Sequence, residues 1–501
     1  MRSDASAPHR GLVTIAVMLA SILQALDTTI ANVALPHIRG NLSATLEQMG
    51  WVLTSYIVAS AIMTPLAGWL AGRYGRKHVL LLSVTGFTIS SALCGMAQSL
   101  PQLVLFRLLQ GLAGAALIPL SQAVLLDINP PERHGKATAL WAQGVLIGPI
   151  IGPALGGWLT ENHSWRWVFY INVPFGILSV LGIMSFLRET ETRRSPFDFF
   201  GFATLSLAIG GLQILLDRGE LLDWFSSPEI WTEAIVAGVA FYLFLVHLFS
   251  AAHPFVTPGL FRDRNFTVGS LFIFIVGVVL FACLALLPPL LQDLLGYPVV
   301  TTGLVTAPRG IGGFLTMALV GRLVGRVDAR ILISVGLGMT VISLWMMCGF
   351  SPQMDNRLII WSGFLQGIGT GFAYVPLAAI AFATLAPHYR YEGTSIFNLL
   401  RNVGSSIGIA VMQALLTRNT QIVHSQLAAH VSVYGTQGPY DLSTSHGLAA
   451  ANAMITRQAL WIAYIDDFKL LLVLTVAVLP LLLLLRTPKR PAAGSATLAA
   501  E

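Results

Sequence analysis

The chain has 501 residues, of which 55% are hydrophobic and only 10% charged. A soluble domain carries roughly 25% charged residues, so a soluble enzyme, a disordered chain and a coiled coil are excluded. The net charge of +6 fits basic residues gathered in the cytoplasmic loops of a membrane protein better than a nucleic-acid surface.

Fourteen apolar runs follow one another: Leu12–Leu35, Trp51–Leu70, Val79–Ala97, Leu103–Leu126, Ala137–Leu159, Val168–Leu187, Phe199–Leu216, Ala234–Ala252, Val268–Leu291, Thr301–Val320, Ile331–Phe350, Leu358–Leu385, Ile396–Leu416 and Phe468–Leu485. Each comes near the roughly 20 residues that a spanning helix needs. Lipid offers the backbone no hydrogen-bond partner, so helices are the expected spanning element. The first run superficially resembles a signal peptide, but Asp27 interrupts it and no clean cleavage site follows, so it is read as a retained helix. With the N-terminus inside, most of the 29 lysines and arginines fall in cytoplasmic loops, including Arg73-Arg76-Lys77 and Arg322-Arg326-Arg330. That asymmetry predicts an even number of spans with both termini in the cytoplasm. One linker is long: 417–467 is expected outside the membrane. Its second part, His446–Asp466, is expected to form an amphipathic helix on the outer membrane face or against the bundle.

"GWLAGRYGRK" from Gly68 and "GRLVGRVDAR" from Gly321 share a pattern 253 residues apart; "LQGLAGAALIPL" and "LQGIGTGFAYVPL" repeat at an offset of 256. Duplicated halves are a transporter signature. The expected architecture is an all-α membrane protein with an N-terminal six-helix bundle over 1–198, two inserted helices over 199–252 and a C-terminal six-helix bundle over 253–501.

Asp27 is the sole acid well inside a predicted span. Desolvation favours its protonated form, so it could take a proton from one side and release it on the other; alternatively it is a hydrogen-bonded acid that orders its helix. Arg107 lies one turn inside the fourth span, with Gly363 as its repeat counterpart; it either holds a negative charge, alternating with the proton on Asp27, or snorkels to the interface. Arg309 and Arg401 are placed nearer span ends, where snorkelling serves equally well. Gly144, Gly148, Gly152 and Gly156 line one face of the fifth span, which Pro149 and Pro153 should bend. Such a helix could seal one end of a cavity, or simply pack closely. Gln24, Asn32, Tyr56, Gln122, Gln366 and Tyr374 are candidates for the cavity lining or for interhelical hydrogen bonds. No Walker A loop, Ser-His-Asp set or HExxH motif is visible, Cys94, Cys283 and Cys348 form no CxxC pair, and no cofactor or metal is expected.

At these motifs the chain resembles the major facilitator superfamily, and within it the fourteen-span drug:proton antiporter branch of the EmrB/QacA type. "LDTTIANVALP" (Leu26–Pro36), "GWLAGRYGRK", "FRLLQG" (Phe106–Gly111), "GPIIGP" (Gly148–Pro153) and "LQILLDRGELLDWFSS" (Leu212–Ser227) carry the resemblance, which covers almost the whole chain. It implies proton-driven export of lipophilic toxic compounds by alternating access across an inner membrane. It assigns coupling to Asp27 with support from Arg107, gating to Gly68, Gly72, Arg73, Gly75 and Arg76, and a periplasmic adaptor and an outer-membrane channel as partners. Gly72 stands where the superfamily's loop motif usually has an acid, which puts a gate built on that charge in question. The late spans show no acid well inside them, which favours neutral or weakly acidic cargo. A lipid, fatty acid or secreted metabolite is the alternative cargo, and a non-transporting membrane sensor the alternative class.

Overall fold

The computed structural model describes residues 10–130, 133–189, 192, 196–386, 389–430 and 444–486. Among them are fourteen helices long and apolar enough to cross a membrane: α1 Arg10–Leu42, α2 Leu46–Tyr74, α3 Arg76–Met96, α4 Leu100–Ile128, α5 His134–Asn162, α6 Trp167–Phe186, α7 Phe199–Arg218, α8 Pro228–Ser250, α9 Arg264–Leu294, α10 Val299–Leu323, α11 Ala329–Cys348, α12 Asn356–Ala383, α13 Arg390–Ala428 and α14 Ser445–Leu484. No strand forms among the described residues.

Local chemistry sets the helix ends. Thr45 and Gln48 make a reciprocal capping box at the start of α2. Asp263, Asp328 and Asp355 cap α9, α11 and α12 by accepting from backbone amides in the first turn. Gly75, with φ +83°, ends α2 and starts α3 in a conformation that side chains with a Cβ rarely adopt. Two spans are interrupted. α4 is broken at Ala115–Ala116, and α6 at Ile171, which puts Asn172 at the first position of its second piece.

Small residues set the packing. α1 lies against α5 and α9 against α13, while α12 nests between α10 and α11. Helices α7 and α8, those expected as an insert, pair with each other, and α7 runs along both α2 and α13. Asp198 anchors the inserted pair: it accepts from the amides of Gly201 and Phe255 and meets His247 at 2.9 Å. Burial works against the ionised Asp198 carboxyl, but these partners outweigh it and hold it below the usual carboxylate range.

The segment expected as an outer loop at 417–467 is instead largely helical. α13 runs unbroken to Ala428 and α14 starts at Ser445, so both helices extend past the apolar runs read from the sequence; 431–443 lie outside the described residues. The helix expected over His446–Asp466 is continuous with the last span and packs on the bundle. Arg457 donates to the Leu294 carbonyl at 2.6 Å and the Trp461 indole to that of Phe350. Thr417 also donates to Glu220, which ties α13 to the loop after α7.

Candidate functional site

Asp27 and Arg107 meet in the middle of the N-terminal half, at 0% and 1% side-chain exposure. Their contact is 2.6 Å, from Arg107 Nη1 to Asp27 Oδ2. The other carboxylate oxygen accepts from Gln110 Nε2 and from Asn172 Nδ2, each at 2.9 Å. Gln110 Oε1 accepts in turn from Arg107 Nη1, Arg107 Nε donates to the Val52 carbonyl, and the guanidinium sits 4.3 Å from the centroid of the Tyr56 ring. Asn172 also donates to Ser91, whose hydroxyl donates to the Phe169 carbonyl. The site thus spans α1, α2, α3, α4 and α6.

A buried ion pair is tolerable only where further hydrogen bonds satisfy both members, and here they do. Adding one proton to Asp27 removes the charge that holds Arg107 and costs the carboxylate its strongest bond. Arg107 does not snorkel, since it points inward. Gln110, Asn172 and Ser91 are hydrogen-bonded neighbours of the pair that sequence reasoning missed. Gln110 lies within the quoted "FRLLQG"; Asn172 gives no signal of its own.

The glycine stripe of α5 packs on the helix that carries Asp27. A Cβ on Gly148 would lie 2.4 Å from the Ala25 carbonyl carbon, one on Gly152 2.2 Å from Thr29 Oγ1, and ones on Gly144 and Gly156 2.8 Å from Met18 and Ile30. Thr29 Oγ1 donates to the Gly148 carbonyl at 3.1 Å. The four glycines therefore hold α1 and α5 together. Helical backbone continues through Pro149 and Pro153, whose side chains lie outside the described residues.

The remaining candidates separate by place. Gly68 is buried in α2, Gly72 has open space around it, and Arg73 lies over the rings of Trp69 and Tyr74. Arg76 meets Asp127 at 2.5 Å, and the same carboxylate takes Arg390 of the other half at 3.2 Å. Asp127 therefore joins the two halves at the face carrying the 73–77 loop, without an acid at position 72. Around it α5 and α10 are in close contact: Gly135 against Val324, Gly321 against Ala139, and Gln143 Nε2 donating to the Phe314 carbonyl at 2.8 Å. Gln122 and Tyr374 also bridge the halves, Gln122 accepting from Asn398 at 3.0 Å and Tyr374 stacking on Trp141. Gln24 accepts from the Ile118 amide, while Asn32 is exposed. Tyr56 belongs to the Arg107 site, and Gln366 lines a cavity within the C-terminal half.

Arg309 and Arg401 are not at span ends. Arg309 is 8% exposed and donates inward to the Leu280 carbonyl at 3.0 Å. Arg401 is half-buried between Tyr374 and Asn402. Among the described residues no cluster of three His, Cys, Asp or Glu could hold a metal.

The helical fold agrees with known proteins to which the chain is similar. The sequence profile of the Major Facilitator Superfamily matches residues 17–409. The chain belongs to the major facilitator superfamily. Within that transporter family it is 40% identical, over 456 residues, to the multidrug export protein EmrB of Escherichia coli K12, covering 90% of this chain and 88% of that one. It is 37% identical over 492 residues to the fatty acid resistance protein FarB of Neisseria gonorrhoeae, covering 96% and 97%. Among solved structures, the human organic anion transporter MFSD10 matches the fold with a TM-score of 0.60 at 16% identity, over 93% of this chain and 100% of that one. The proton:xylose symporter XylE matches at 0.59 and 14%, over 92% and 94%.

The Asp127 bridge yields a direct test. Val324→Cys places a thiol at the contact with Gly135. Adding Asp127→Ala is expected to raise its maleimide-labelling rate several-fold, because neither Arg76 nor Arg390 keeps that partner; an unchanged rate would count against Asp127 as a fastener of this face.

Proposed function

We propose that this protein exports lipophilic compounds by alternating access, in exchange for protons carried by Asp27. The observation that carries the reading is the Asp27–Arg107 pair, fully buried between spans and held by Gln110 and Asn172. A carboxylate in that position is costly to insert, by about 2.5–3.5 kcal/mol on translocon scales, and such groups mark proton and ion pathways. The proton is the only coupling ion needed, and no cofactor enters the cycle. With the face that carries the 73–77 loop in the cytoplasm, as the basic loops favour, the Asp127 bridge and the α5–α10 contact close the cytoplasmic end. Proton binding from outside would then loosen Arg107 and allow the halves to rock. A proton entering down a ~100 mV potential supplies ~2.3 kcal/mol, enough for tens-fold accumulation of cargo.

In this reading the protein sits in a bacterial inner membrane with both termini in the cytoplasm, and the outer projections of α13 and α14 face the periplasm, where an adaptor leading to an outer-membrane channel would dock. The 37% identity to FarB supports a second cargo, fatty acids, on the same machinery.

The test is gradient-driven uptake of a lipophilic dye into proteoliposomes. Wild type should accumulate dye when a pH gradient is imposed, and Asp27→Asn should lose that response while still equilibrating the dye across the membrane. Accumulation that survives the substitution defeats the assignment.

A further inference from the structure

The C-terminal half contains a polar site that repeats the Asp27 site with its acid missing. Two sets of close contacts fix the correspondence. Gly111 of α4 is pressed against the Tyr56 carbonyl, and Gly367 of α12 against the Arg309 carbonyl. Tyr56 therefore corresponds to Arg309, and Gln110 to Gln366, each pair also matching a repeat offset of 253 or 256. Gly148 and Gly152 press on Ala25 and Thr29 of α1, and Gly404 and Gly408 on Phe274 and Val278 of α9. Asp27, two residues after Ala25, thus corresponds to Val276, two residues after Phe274.

The charge in this second site is unbalanced. Gly363, at the place of Arg107, leaves room that Arg309 enters from the neighbouring helix. Among the described residues no carboxylate pairs with Arg309, whose one hydrogen bond goes to the Leu280 carbonyl. Gln366 is 1% exposed, and its amide makes no full hydrogen bond, the weakly polar Cys283 thiol being the polar group beside it. A buried cation and a buried amide left in this way are costly, and are kept where a ligand completes them. Val276, Leu280 and Gln366 together line a cavity of about 30 Å³, which is room for about two water-sized groups, such as the oxygens of a small head group; Arg309 is outside its wall and meets it at Leu280, to whose carbonyl it donates. The rest of its wall is mostly apolar, with Thr340, Thr370 and Thr475 as the other polar members.

We propose that Arg309 and Gln366 bind the deprotonated head of a lipophilic acid, so that the cargo supplies the carboxylate which Val276 cannot. Arg309 donates to the carboxylate, the Gln366 amide donates beside it as Gln110 does to Asp27, and the apolar wall takes the first part of the tail. A carboxylate–guanidinium contact in an apolar cavity is a charge-assisted bond, stronger than a neutral one. The site rests on the exporter reading above and deepens it by naming one class of cargo. It also separates the tasks of the halves: the N-terminal half carries its own acid for the proton, and the C-terminal half borrows its acid from what it exports.

The experiment compares dodecanoate with dodecanamide, which share a tail and differ in charge. In proteoliposomes, Arg309→Gln should lower the acid-to-amide transport ratio at least tenfold, and Arg309→Lys should keep most of it. Val276→Asp supplies an internal carboxylate and should lower the ratio in the same way. A ratio unchanged in Arg309→Gln, or equal losses for both cargoes, overturns the proposal. Melting temperatures decide the matter if Arg309→Gln does not fold. Dodecanoate should stabilise purified wild type more than dodecanamide at equal concentration, and Val276→Asp should abolish the difference; equal shifts in wild type sink the site. Absence of any flux by wild type would sink the exporter reading instead, and the melting difference would still judge the site.

Discussion

Arg107→Leu is expected to be the most destabilising single change at the Asp27 site, and adding Asp27→Asn is expected to restore most of the lost stability. The single substitution leaves a carboxylate at 0% exposure with no other cation paired to it among the described residues. Removing one partner of a buried pair costs about 3–5 kcal/mol, mostly as the penalty on the charge left behind. Gln110 and Asn172 still donate to Asp27 Oδ1, but both are neutral, and the Tyr56 ring loses the cation that it covers. In the double variant the amide introduced at position 27 is neutral, and its oxygen can still accept from both Gln110 and Asn172. The coupling is therefore strongly non-additive, as expected of groups in one network. Thermal unfolding in detergent reads the four corners of the cycle, and flux in proteoliposomes reads function. Both single variants and the double should fail to respond to a pH gradient. A double variant no more stable than Arg107→Leu would mean that the pair contributes packing rather than charge.

Much of this site was legible in the sequence because charge is rare in the chain. Asp27 and Arg107 stand out in apolar runs, where an ionisable group has few bland explanations. Gln110 and Asn172 do not stand out, since amides serve helix packing as often as they hold carboxylates. The break in α6 that aims Asn172 at Asp27 falls just before Pro174, whose missing amide and bulky ring deny the Tyr170 carbonyl its helical partner, but a proline marks a break and not what the residue beside it faces. The spans were legible from hydropathy alone, because lipid imposes one solution on the backbone. The far ends of α13 and α14 were not, since polar helices that continue past an apolar run read as loop. Arg309 was misplaced because distance from the edge of an apolar run says nothing about which way a side chain points; it reaches across to α9, not along its own axis. The Asp127 bridge joins helix-end charges far apart in the chain, and only the fold brings Arg76 and Arg390 to one carboxylate. The glycine stripe was legible as a close contact but not as a contact with α1.

That contact sets the second large effect. Gly148→Ala is expected to reduce gradient-driven transport on the order of 10²-fold, Gly152→Ala less, and Gly157→Ala scarcely at all. The gradation follows from what each new methyl meets. At Gly148 it falls 2.4–2.6 Å from the carbonyl group of Ala25 and the amide nitrogen of Leu26, which are backbone atoms of α1 and cannot rotate away. α1 and α5 must then separate, and Asp27, the next residue after Leu26, moves with α1 while Arg107 stays on α4. A displacement of about 1 Å breaks a 2.6 Å contact, and misplacement on that scale costs around 10²-fold where geometry sets the rate. At Gly152 the obstacle is Thr29 Oγ1, a side-chain hydroxyl that can turn aside at the expense of its bond to the Gly148 carbonyl. At Gly157 the nearest atom is Val33 Cγ1 at 3.9 Å, an ordinary contact. Initial uptake rates, normalised to folded protein in the membrane, measure the series. Equal rates for Gly148→Ala and Gly157→Ala would show that α1 can shift without disturbing the proton site, and the link from the glycine stripe to coupling would be lost.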